Sequence, residues 1–377
     1  MSSRPIKVAH VVFSLEPGGL ENGIVNLANG LDRERFSTEI LCLEIEGAFA
    51  DRLKPDVRVE AFGRSKGFDR GAVMKLAVSL RKSKPDVIHT HNLGPLIYAL
   101  LARLISGRWG TPILHGEHGA LQGDDLVPKR LRQRQWGYRC VREVHTVSAS
   151  LRDHLIGHGL TARRITAVIN GVDCSRFRPA SEKAQAKVTA GFAPDDFVIG
   201  LVGRFIPSKR HELLLEAFQR IMESGPAWSH CRLVLLGDGG PAKASVLDRI
   251  EAHPFSERIL WAGHQDDTLP FYQAMDLQAM PSASEGLSNA LLEGMACGVP
   301  SLAHPACGAS EVIDDGLNGW LRSVETPETL AQCLMDLISE PGRLAEVSEN
   351  ARKTAETRFS LDSMIESYSA LYERLAG

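Results

Sequence analysis

The stretch FVIGLVGRFIPSKRH, residues 197–211, shows the pattern from which the fold can be predicted. An apolar run ends at a glycine, a short turn rich in cations follows, and the apolar spacing over 212–222 predicts a helix. The start of the chain has the same order, with an apolar run over 7–13, the turn glycines Gly18 and Gly19, and an amphipathic stretch. A buried strand, a glycine turn and a helix in succession are typical of β-α-β units with a parallel sheet.

Short apolar runs alternate with helical stretches through both halves of the chain. The predicted fold class is therefore α/β, with two doubly wound, Rossmann-like domains facing each other across a cleft. Ligands of such sheets bind beyond the carboxyl ends of the strands, so the cleft is the expected site. The predicted strands span residues 7–13, 37–43, 57–61, 87–89, 112–116, 143–147 and 165–169 in the first half, and 197–203, 232–236, 259–262, 277–280 and 300–303 in the second.

A turn and a polar stretch interrupt the strand pattern after Asn170. We therefore predict a first domain over residues 1–175 and a second over 190–357, with a linker near 174–195. A serine at position 360 precedes a run with helical apolar spacing, which predicts a terminal helix over 360–377.

The composition is that of a soluble globular protein, with 377 residues of which 44% are hydrophobic and 24% charged. No stretch has the roughly 18 consecutive apolar residues of a membrane-spanning helix. The seven cysteines are scattered without a C-x-x-C pair, which predicts reduced thiols in a cytoplasmic protein. Residues 1–180 carry 27 lysines and arginines against 18 acidic residues, and 181–377 carry 16 against 28, so the first half is expected to face an anionic partner.

Cations and glycines at strand ends suit a phosphate ligand. Arg204 and Lys209 flank a turn that follows a buried strand, and together they can neutralise a diphosphate. The glycines Gly18 and Gly19 allow backbone N–H groups to approach a phosphate or a sugar. The alternatives are a pair of surface cations and an ordinary tight turn. A dinucleotide fingerprint is weak, because the pattern is not G-x-G-x-x-G.

Two glutamates, Glu285 and Glu293, lie eight positions apart at the entrance and on the body of a predicted helix. That spacing keeps both carboxylates near one helix face. A hydroxyl-rich or anionic ligand at the helix entrance would meet free backbone N–H groups. The alternative interpretation is a capped surface helix with two solvated glutamates.

Histidines cluster at the predicted strand ends in HTHN (89–92) and HGEHG (115–119). A metal site is one interpretation, but no cysteine lies at ligand spacing and the two histidines of H-x-H share a face only within a strand. A histidine beside glycines at a strand end is better placed to hydrogen bond a sugar hydroxyl or a leaving group. The alternative, a hydrogen-bonded core histidine, fits His10 and His89 better than His118.

Together these stretches resemble glycosyltransferase family 4, whose retaining enzymes have the GT-B architecture of two Rossmann-like domains. The resemblance covers nearly the whole chain and is densest over 262–320. In that architecture the terminal helix commonly crosses back to the first domain, and we expect the same here. The matching motifs are AGH (262–264), FYQAMDL (271–277), PSASEGLSNALLE (281–293), MACGVP (295–300), EVI (311–313), GLNG (316–319), AVINGVD (167–173) and FRP (177–179).

The resemblance implies a role for each residue at a matching position. Arg204 and Lys209 would hold the diphosphate of a nucleotide sugar, and Glu293 would accept hydrogen bonds from the ribose. Glu285 would lie beside the donor sugar and His118 would face the transferred sugar, so these two are the predicted catalytic residues. The remaining predicted donor-binding residues are Gly18 and Gly19 from the other domain, Gln265 near the base, and Gly286, Leu287, Ser288 and Asn289 at the helix start.

The resemblance also implies the reaction. A sugar would move from a UDP- or GDP-linked donor to a glycan or a lipid-linked acceptor with retention at the anomeric carbon. Because cations and helix amides can stabilise a departing diphosphate, neither a metal nor a cofactor is expected, and the sequence contains no D-x-D motif. The motifs HGEHG (115–119) and EGLSN (285–289) are similar to those of exopolysaccharide-cluster sugar transferases. This similarity implies a role in surface polysaccharide biosynthesis.

Residues 126–142 combine six cations with apolar and aromatic side chains. This composition suits a peripheral contact with an anionic membrane, which would place the protein at the inner face of the plasma membrane. The alternative is a solvated, arginine-rich helix. Nucleic acid is not an expected partner, since no recognised module is present.

Two positions depart from the family pattern: Arg210 and Gly294 stand where glycine and alanine are common. We expect Arg210 to add a cation near the diphosphate and Gly294 to loosen its helix by about 1 kcal/mol. The alternative functions are a nucleotide-sugar epimerase and a non-catalytic nucleotide-sugar-binding relative. A dehydrogenase is disfavoured because the dinucleotide fingerprint is missing.

Overall fold

The computed structural model describes residues 4–121, 123–284, 287–305 and 308–377. The chain divides into two compact units. The first consists of Met1–Gly171 together with Leu361–Gly377, and the second is Val172–Ser360. Each unit is built on one parallel sheet, so the prediction of an α/β fold with two Rossmann-like domains is confirmed.

The first unit contains a seven-stranded sheet whose neighbouring strands all pair in parallel. Its strands are β1 (Ile6–Val12), β2 (Phe36–Cys42), β3 (Arg58–Ala61), β4 (Val87–His91), β5 (Ile113–Glu117), β6 (Glu143–Thr146) and β7 (Ile165–Ala167), and its first helices are α1 (Gly19–Gly30), α2 (Arg70–Ser83), α3 (Leu93–Ile105), α4 (Pro128–Cys140) and α5 (Ala149–Gly157). The strand order is β3-β2-β1-β4-β5-β6-β7, so the direction of winding reverses between β1 and β4. That switch point is where open α/β sheets bind ligands.

The second unit contains a six-stranded parallel sheet. Its strands are β8 (Phe197–Val202), β9 (Cys231–Leu236), β10 (Ile259–Gly263), β11 (Leu277–Met280), β12 (Ser301–Ala303) and β13 (Trp320–Leu321), and its helices are α6 (Lys183–Thr189), α7 (His211–Glu223), α8 (Lys243–Glu251), α9 (Leu269–Ala274), α10 (Asn289–Ala296), α11 (Ala309–Val312), α12 (Pro327–Ile338) and α13 (Pro341–Arg358). The strand order is β10-β9-β8-β11-β12-β13, and the winding reverses between β8 and β11. The short β13 is an addition to the predicted strands.

Capping residues explain where several helices begin. The side chain of Asp69 accepts a hydrogen bond from the Ala72 N–H before α2, and Ser148 accepts one from Leu151 before α5. Thr326 forms a capping box ahead of α12, which has a proline in its first turn. Each cap satisfies a backbone N–H that has no partner inside its helix.

The last helix, α14 (Leu361–Ala376), packs within the first unit. Tyr368, Leu371 and Tyr372 join a buried cluster that includes Val8 of β1 and Val87 of β4. These contacts cover one face of the first sheet with aromatic side chains from the end of the chain.

The stretch over 174–195, predicted as a linker, belongs instead to the second unit, which corrects that prediction. It contains α6, whose Lys187 is buried even though the surrounding sequence is polar. The Lys187 ammonium lies 2.8 Å from a carboxylate oxygen of Asp276 and donates to the carbonyl of Asp196 at 2.6 Å. These partners lie up to 89 positions away in sequence, so the local composition does not reveal that Lys187 is buried. The polar composition by itself predicts a linker.

Within the described residues, no helix combines the length and the apolar character needed to cross a bilayer.

Candidate functional site

The loops that follow β8, β9 and β10 are joined by backbone hydrogen bonds at the carboxyl edge of the second sheet. Gly203 donates to Leu236, and Gly237 donates to Gly263, each at 2.9 Å. Gly237 has a φ of 134°, and a Cβ on it would lie 2.1 Å from the carbonyl oxygen of Gly203. Glycine at this position therefore lets two strand-end loops pack directly on each other.

Arg204 and Lys209 both lie at this edge. Lys209 ends a short 3₁₀ turn, and its side chain crosses Gly203, where a Cβ would lie 3.0 Å from the lysine Cε. Arg204 is exposed. The two predicted diphosphate ligands thus stand beyond the carboxyl end of β8.

The chain between β11 and α10 lies beside the turn that holds Lys209, because the Ala283 N–H donates to the Ser208 carbonyl at 2.8 Å. Ser288 is the cap residue of α10, and its side chain accepts no capping hydrogen bond from the described part of the helix. The first helical residue is Asn289. The half-buried Glu293 follows one turn later.

The remaining predicted residues of this unit are placed as follows. Leu287 is buried ahead of α10, and Gln265 is half-buried after β10, where its amide donates to the carbonyl of Ala262. Glu285 and Gly286 lie outside the described residues. The structure therefore brings the residues of the second unit that are predicted to bind the donor, as far as they are described, to one sheet edge.

Gly294 is required by its surroundings, which revises the expectation of a loosened helix. A Cβ on Gly294 would lie 2.4 Å from Oε1 of Gln278, a residue with no exposed surface. Gln278 is held in place because it donates to the Ala290 carbonyl at 3.0 Å and accepts from the Ser301 hydroxyl at 3.1 Å. Close packing of α10 on a buried amide thus offsets the poor helix propensity of glycine.

Arg210, expected near the diphosphate, has a different partner. Its guanidinium lies 2.8 Å from a carboxylate oxygen of Glu325, and it also donates to the carbonyl of Val324 at 3.4 Å. Its backbone is left-handed, with a φ of 54°, a conformation that glycine adopts more readily than arginine. The Arg210 side chain therefore connects the turn that holds Lys209 to the segment before α12.

In the first unit His118 belongs to a cluster of histidines. Its Nε2 lies 3.0 Å from Nδ1 of His91, and Nε2 of His91 lies 3.1 Å from Nδ1 of His10. A second pair, His89 and His145, shares a hydrogen bond of 2.7 Å between their Nε2 atoms. We name these five residues the histidine cluster.

Strand register explains the cluster. His10 of β1 is directly opposite His89 of β4, and side chains two positions apart on a strand share a face, which adds His91. Gly116 of β5 separates His91 from His145 of β6. A Cβ on Gly116 would lie 2.5 Å from His145 and 2.6 Å from His118, so the glycine makes the room in which the rings meet.

Burial keeps the cluster neutral. It lowers the pKa of His10 and of His118 to about 3, and it lowers the pKa of His89, His91 and His145 well below the usual value. Neighbouring imidazoles add to the effect on the last three, because a charge on one ring disfavours a charge on the next.

Hydrogen bonds already use the nitrogen atoms through which the cluster could hold a metal ion. The ligand atoms of His10, His89 and His91 all lie within 4.8 Å of one another, and Nδ1 of His10 is hydrogen-bonded to Nε2 of His91 at 3.1 Å. Both ring nitrogens of His89 are also occupied, by His145 and by the hydroxyl of Tyr372 at 2.8 Å. Hydrogen bonding among the rings accounts for the arrangement.

Glu117, next to His118, anchors α4 to the end of β5. One of its carboxylate oxygens accepts from Arg134 at 3.0 Å, from Tyr138 at 2.9 Å and from His115 at 3.4 Å. Burial raises the pKa of Glu117, but the hydrogen bond from His115 and the charge of Arg134 outweigh it and lower the pKa to about 2. The acid is therefore charged and fixed.

The same contacts correct part of the membrane-surface prediction for 126–142. Arg134 and Tyr138 are buried and face Glu117, so they are not available to a bilayer. Trp136 remains 54% exposed. The exposed cations of this stretch are Lys129, Arg130, Arg132, Arg139 and Arg142.

Gly18 and Gly19 form the start of α1 in the first unit. Gly18 is the cap residue, and a Cβ on it would lie 2.3 Å from a carboxylate oxygen of Glu21. The Glu21 side chain therefore folds over the helix entrance. Their predicted contact with the donor, like the roles of the other site residues, remains a prediction.

Sequence reasoning did not identify the tyrosines that contact the histidine cluster. They belong to α14 and lie far from the histidines in sequence, so that Tyr372 is 283 positions from its partner His89. The signal in the sequence was weak: at least one histidine lies at or near the end of each of β1, β4, β5 and β6, the strands that become neighbours in the sheet.

Comparisons with known proteins agree with this architecture. A family model described as Glycosyltransferase Family 4 matches residues 17–176, and one described as Glycosyl transferases group 1 matches residues 182–354. A D-inositol 3-phosphate glycosyltransferase of Rhodococcus opacus (strain B4) is 30% identical over 301 residues, which are 75% of this chain and 67% of that protein. One of Rhodococcus erythropolis (strain PR4 / NBRC 100887) is 26% identical over 411 residues, covering 97% and 91%.

Among solved structures, Anabaena Alr3699/HepE in complex with UDP-glucose superimposes with a TM-score of 0.84 at 22% identity, over 98% of this chain and 100% of that one. Two Rossmann-like parallel sheets of this kind define the GT-B fold of glycosyltransferases. This chain belongs to glycosyltransferase family 4.

Proposed function

We propose that this glycosyltransferase moves a sugar from a nucleotide-diphosphate sugar to a glycan or lipid-linked acceptor, with retention and without a metal ion. The observation that carries the proposal is the shared position of Arg204, Lys209 and the start of α10 at the carboxyl edge of the second sheet. The Ala283–Ser208 hydrogen bond holds these elements side by side. Such an edge suits a diphosphate, because cations and helix N–H groups both favour negative charge.

Each residue has a defined task in the proposed reaction. As the bond between the anomeric carbon and the diphosphate lengthens, negative charge grows on phosphate oxygens, and Lys209 and Arg204 stabilise it. The amides of Leu287, Ser288 and Asn289 support the same oxygens and the sugar hydroxyls. Glu293 accepts from the ribose.

The two proposed catalytic residues act on the sugar itself. Glu285 positions the donor sugar and stabilises positive charge on it electrostatically, while His118 hydrogen bonds its hydroxyls. Gly18 and Gly19 from the first unit, and Gln265 near the base, complete the proposed donor set. The acceptor oxygen would attack from the face that the diphosphate leaves.

The donor base is uracil in our proposal, so that the donor is a UDP-linked sugar. The support is the likeness in fold to Alr3699/HepE, whose structure was determined with UDP-glucose. A GDP-linked donor is the alternative, and the two differ in the base that Gln265 and its neighbours would meet.

Two acceptor classes deserve testing. The basic first half and the motif style support a lipid-linked precursor of an exopolysaccharide, handled at the inner face of the plasma membrane. The names of the relatives support a second class, a small phosphorylated polyol such as D-inositol 3-phosphate. Both acceptors are anionic, which fits the charge of residues 1–180.

A membrane contact would use the exposed side of α4. Four exposed cations accompany Trp136 on this helix and Arg142 follows it, and each cation near an anionic surface contributes about 1 kcal/mol. We expect the protein to sediment with vesicles that contain an anionic phospholipid and not with neutral ones. Sedimentation with neither would remove the membrane contact from the proposal and leave the donor site unaffected.

The donor site is tested by thermal stabilisation with UDP and GDP. We expect UDP to raise the melting temperature of the wild-type protein. Because a hydrogen bond to a charged group contributes about 1.5–3 kcal/mol, the Lys209→Met variant should bind UDP about 10- to 100-fold more weakly. Lys353→Met, which removes an exposed lysine of α13, is the matched control and should bind like the wild type.

If neither nucleotide stabilises the wild-type protein, the proposed donor is wrong. If a nucleotide does bind, hydrolysis of the corresponding nucleotide sugar in the presence of EDTA tests metal independence. NMR of the anomeric proton in the product tests retention. An epimerase would release a changed nucleotide sugar in the absence of any acceptor, whereas a transferase would not.

A further inference from the structure

A continuous line of hydrogen bonds runs inward from His118. It passes from Nε2 of His118 to Nδ1 of His91 over 3.0 Å, and from Nε2 of His91 to Nδ1 of His10 over 3.1 Å. His118 is partly exposed, whereas His91 is 3% and His10 is 0% exposed. The line therefore joins a group near the surface to one with no access to water.

Only two proton arrangements suit this line. A neutral imidazole has one N–H donor and one nitrogen acceptor, and burial keeps these rings neutral. In the first arrangement His10 donates to His91 and His91 donates to His118, so that the outer Nδ1 of His118 carries its hydrogen. In the second arrangement every donor is reversed, and that outer Nδ1 is a bare acceptor.

The inner end of the line decides between the two arrangements. Nε2 of His10 is buried and has no hydrogen bond partner among the described residues. In the first arrangement this atom is an unpaired lone pair, and in the second it is an unpaired N–H. Buried N–H groups without an acceptor are rarer than buried acceptors without a donor, so the first arrangement is favoured.

The neighbouring pair does not compete for these atoms. His89 uses both ring nitrogens, for the Tyr372 hydroxyl and for His145. His145 has the Tyr368 hydroxyl 3.4 Å from its other nitrogen. The ring of Tyr372 lies 6.3 Å from that of His10 between centroids, too far to serve as a strong acceptor for an N–H.

We propose that His10, acting through His91, fixes His118 as the Nδ1–H tautomer, so that His118 presents a hydrogen bond donor and not a base. His10 and His91 are then positioning residues. The consequence for the sugar rests on the proposed function: His118 would donate to an oxygen of the transferred sugar, and its Nδ1 could not take a proton from the acceptor hydroxyl. The tautomer itself is a property of the unliganded protein.

The tautomer is measurable by NMR of the full-length protein labelled with ¹⁵N at histidine, without any ligand. The ring nitrogen that carries hydrogen resonates well apart from the bare one, and a His118→Gln variant identifies the His118 signals by their loss. We expect His118 of the wild-type protein to show Nδ1–H. Free histidine favours Nε2–H, so the expected form is the less common one.

Two substitutions of His10 form a matched pair. His10→Phe keeps a ring and removes the donor, so we expect His118 to shift to a mixture in which Nε2–H predominates. His10→Asn keeps an N–H near the position of Nδ1, and it should preserve the Nδ1–H form. Melting curves recorded for both variants confirm that each remains folded under the NMR conditions.

Either of two results would overturn the proposal: an Nε2–H tautomer of His118 in the wild-type protein, or an unchanged His118 tautomer in folded His10→Phe. One equivalent of zinc bound to the purified protein would also overturn it, because the rings would then be metal ligands. Failure of UDP binding would refute the proposed function alone, since this experiment contains no nucleotide.

Discussion

Acid should unfold the first unit more readily than the second. His10, His89, His91 and His145 are between 0 and 3% exposed, and burial holds all four neutral in the folded state. In the unfolded chain each has a pKa of about 6.5. The pKa values of these histidines are therefore lower in the folded state than in the unfolded state. As the pH falls below about 6.5, the unfolded state binds protons that the folded state does not bind, and stability is lost.

The size of the effect follows from the number of buried rings. One histidine that stays neutral when folded lowers the free energy of unfolding by about 1.4 kcal/mol between pH 7.5 and 5.5. Four such rings lower it by about 5 kcal/mol, which is comparable with the whole stability of many domains. Carboxylates such as Glu117, with a pKa of about 2, stay charged over this range and add nothing.

The second unit provides an internal comparison. Its buried His211 has a pKa lowered to about 4 by burial and contributes about 1.4 kcal/mol over the same interval. Urea denaturation at pH 7.5, 6.5 and 5.5, followed by hydrogen exchange and mass spectrometry, resolves peptides of β1 and β4 from those of β8 and β9. We expect the first set to lose protection at lower urea as the pH falls.

A variant checks the count of protons. His10→Phe removes one buried imidazole, so the loss between pH 7.5 and 5.5 should shrink by about 1.4 kcal/mol, whatever the stability at pH 7.5. A loss in the wild-type first unit smaller than about 1.4 kcal/mol, or equal losses in the two units, would show that the histidine cluster is protonated in the folded protein.

Two further predictions concern packing. Tyr372→Phe leaves Nδ1 of His89 without its hydroxyl partner, which should lower the free energy of unfolding by about 1–3 kcal/mol and the melting temperature of the first unit by about 2–4 °C per kcal/mol. Tyr368→Phe is the control, because the Tyr368 hydroxyl makes only a 3.4 Å contact, and it should cost less than half as much. Equal costs would contradict the hydrogen bond between Tyr372 and His89. Gly294→Ala should destabilise the protein by about 1–3 kcal/mol even though alanine has the better helix propensity, because its Cβ would clash with Gln278. In a Gln278→Ala background the same substitution should be stabilising. Denaturation curves of the wild type, the two single variants and the double variant test this reversal.

Much of the fold was predictable because it depends on local patterns. Apolar runs mark buried parallel strands, and each of the twelve predicted runs contains or overlaps a strand of the structure. The two residues of β13 form no run, so nothing local marked them. Lys187 lies in a stretch predicted as a linker because its sequence is polar, and the carboxylate of Asp276 and the carbonyl of Asp196 together compensate its burial.

The sequence by itself determined which chemistry stands at the strand ends. Parallel strands carry their carboxyl ends to one edge, so the position of Arg204 and Lys209 after a strand was enough to place them there. Only the tertiary structure decided which side chains contact each other. The histidine cluster needs β1, β4, β5, β6 and α14 at once, and its protons are ordered by contacts such as that of His91 with His10, 81 positions apart. Such contacts depend on strand order and on burial, which no local pattern encodes.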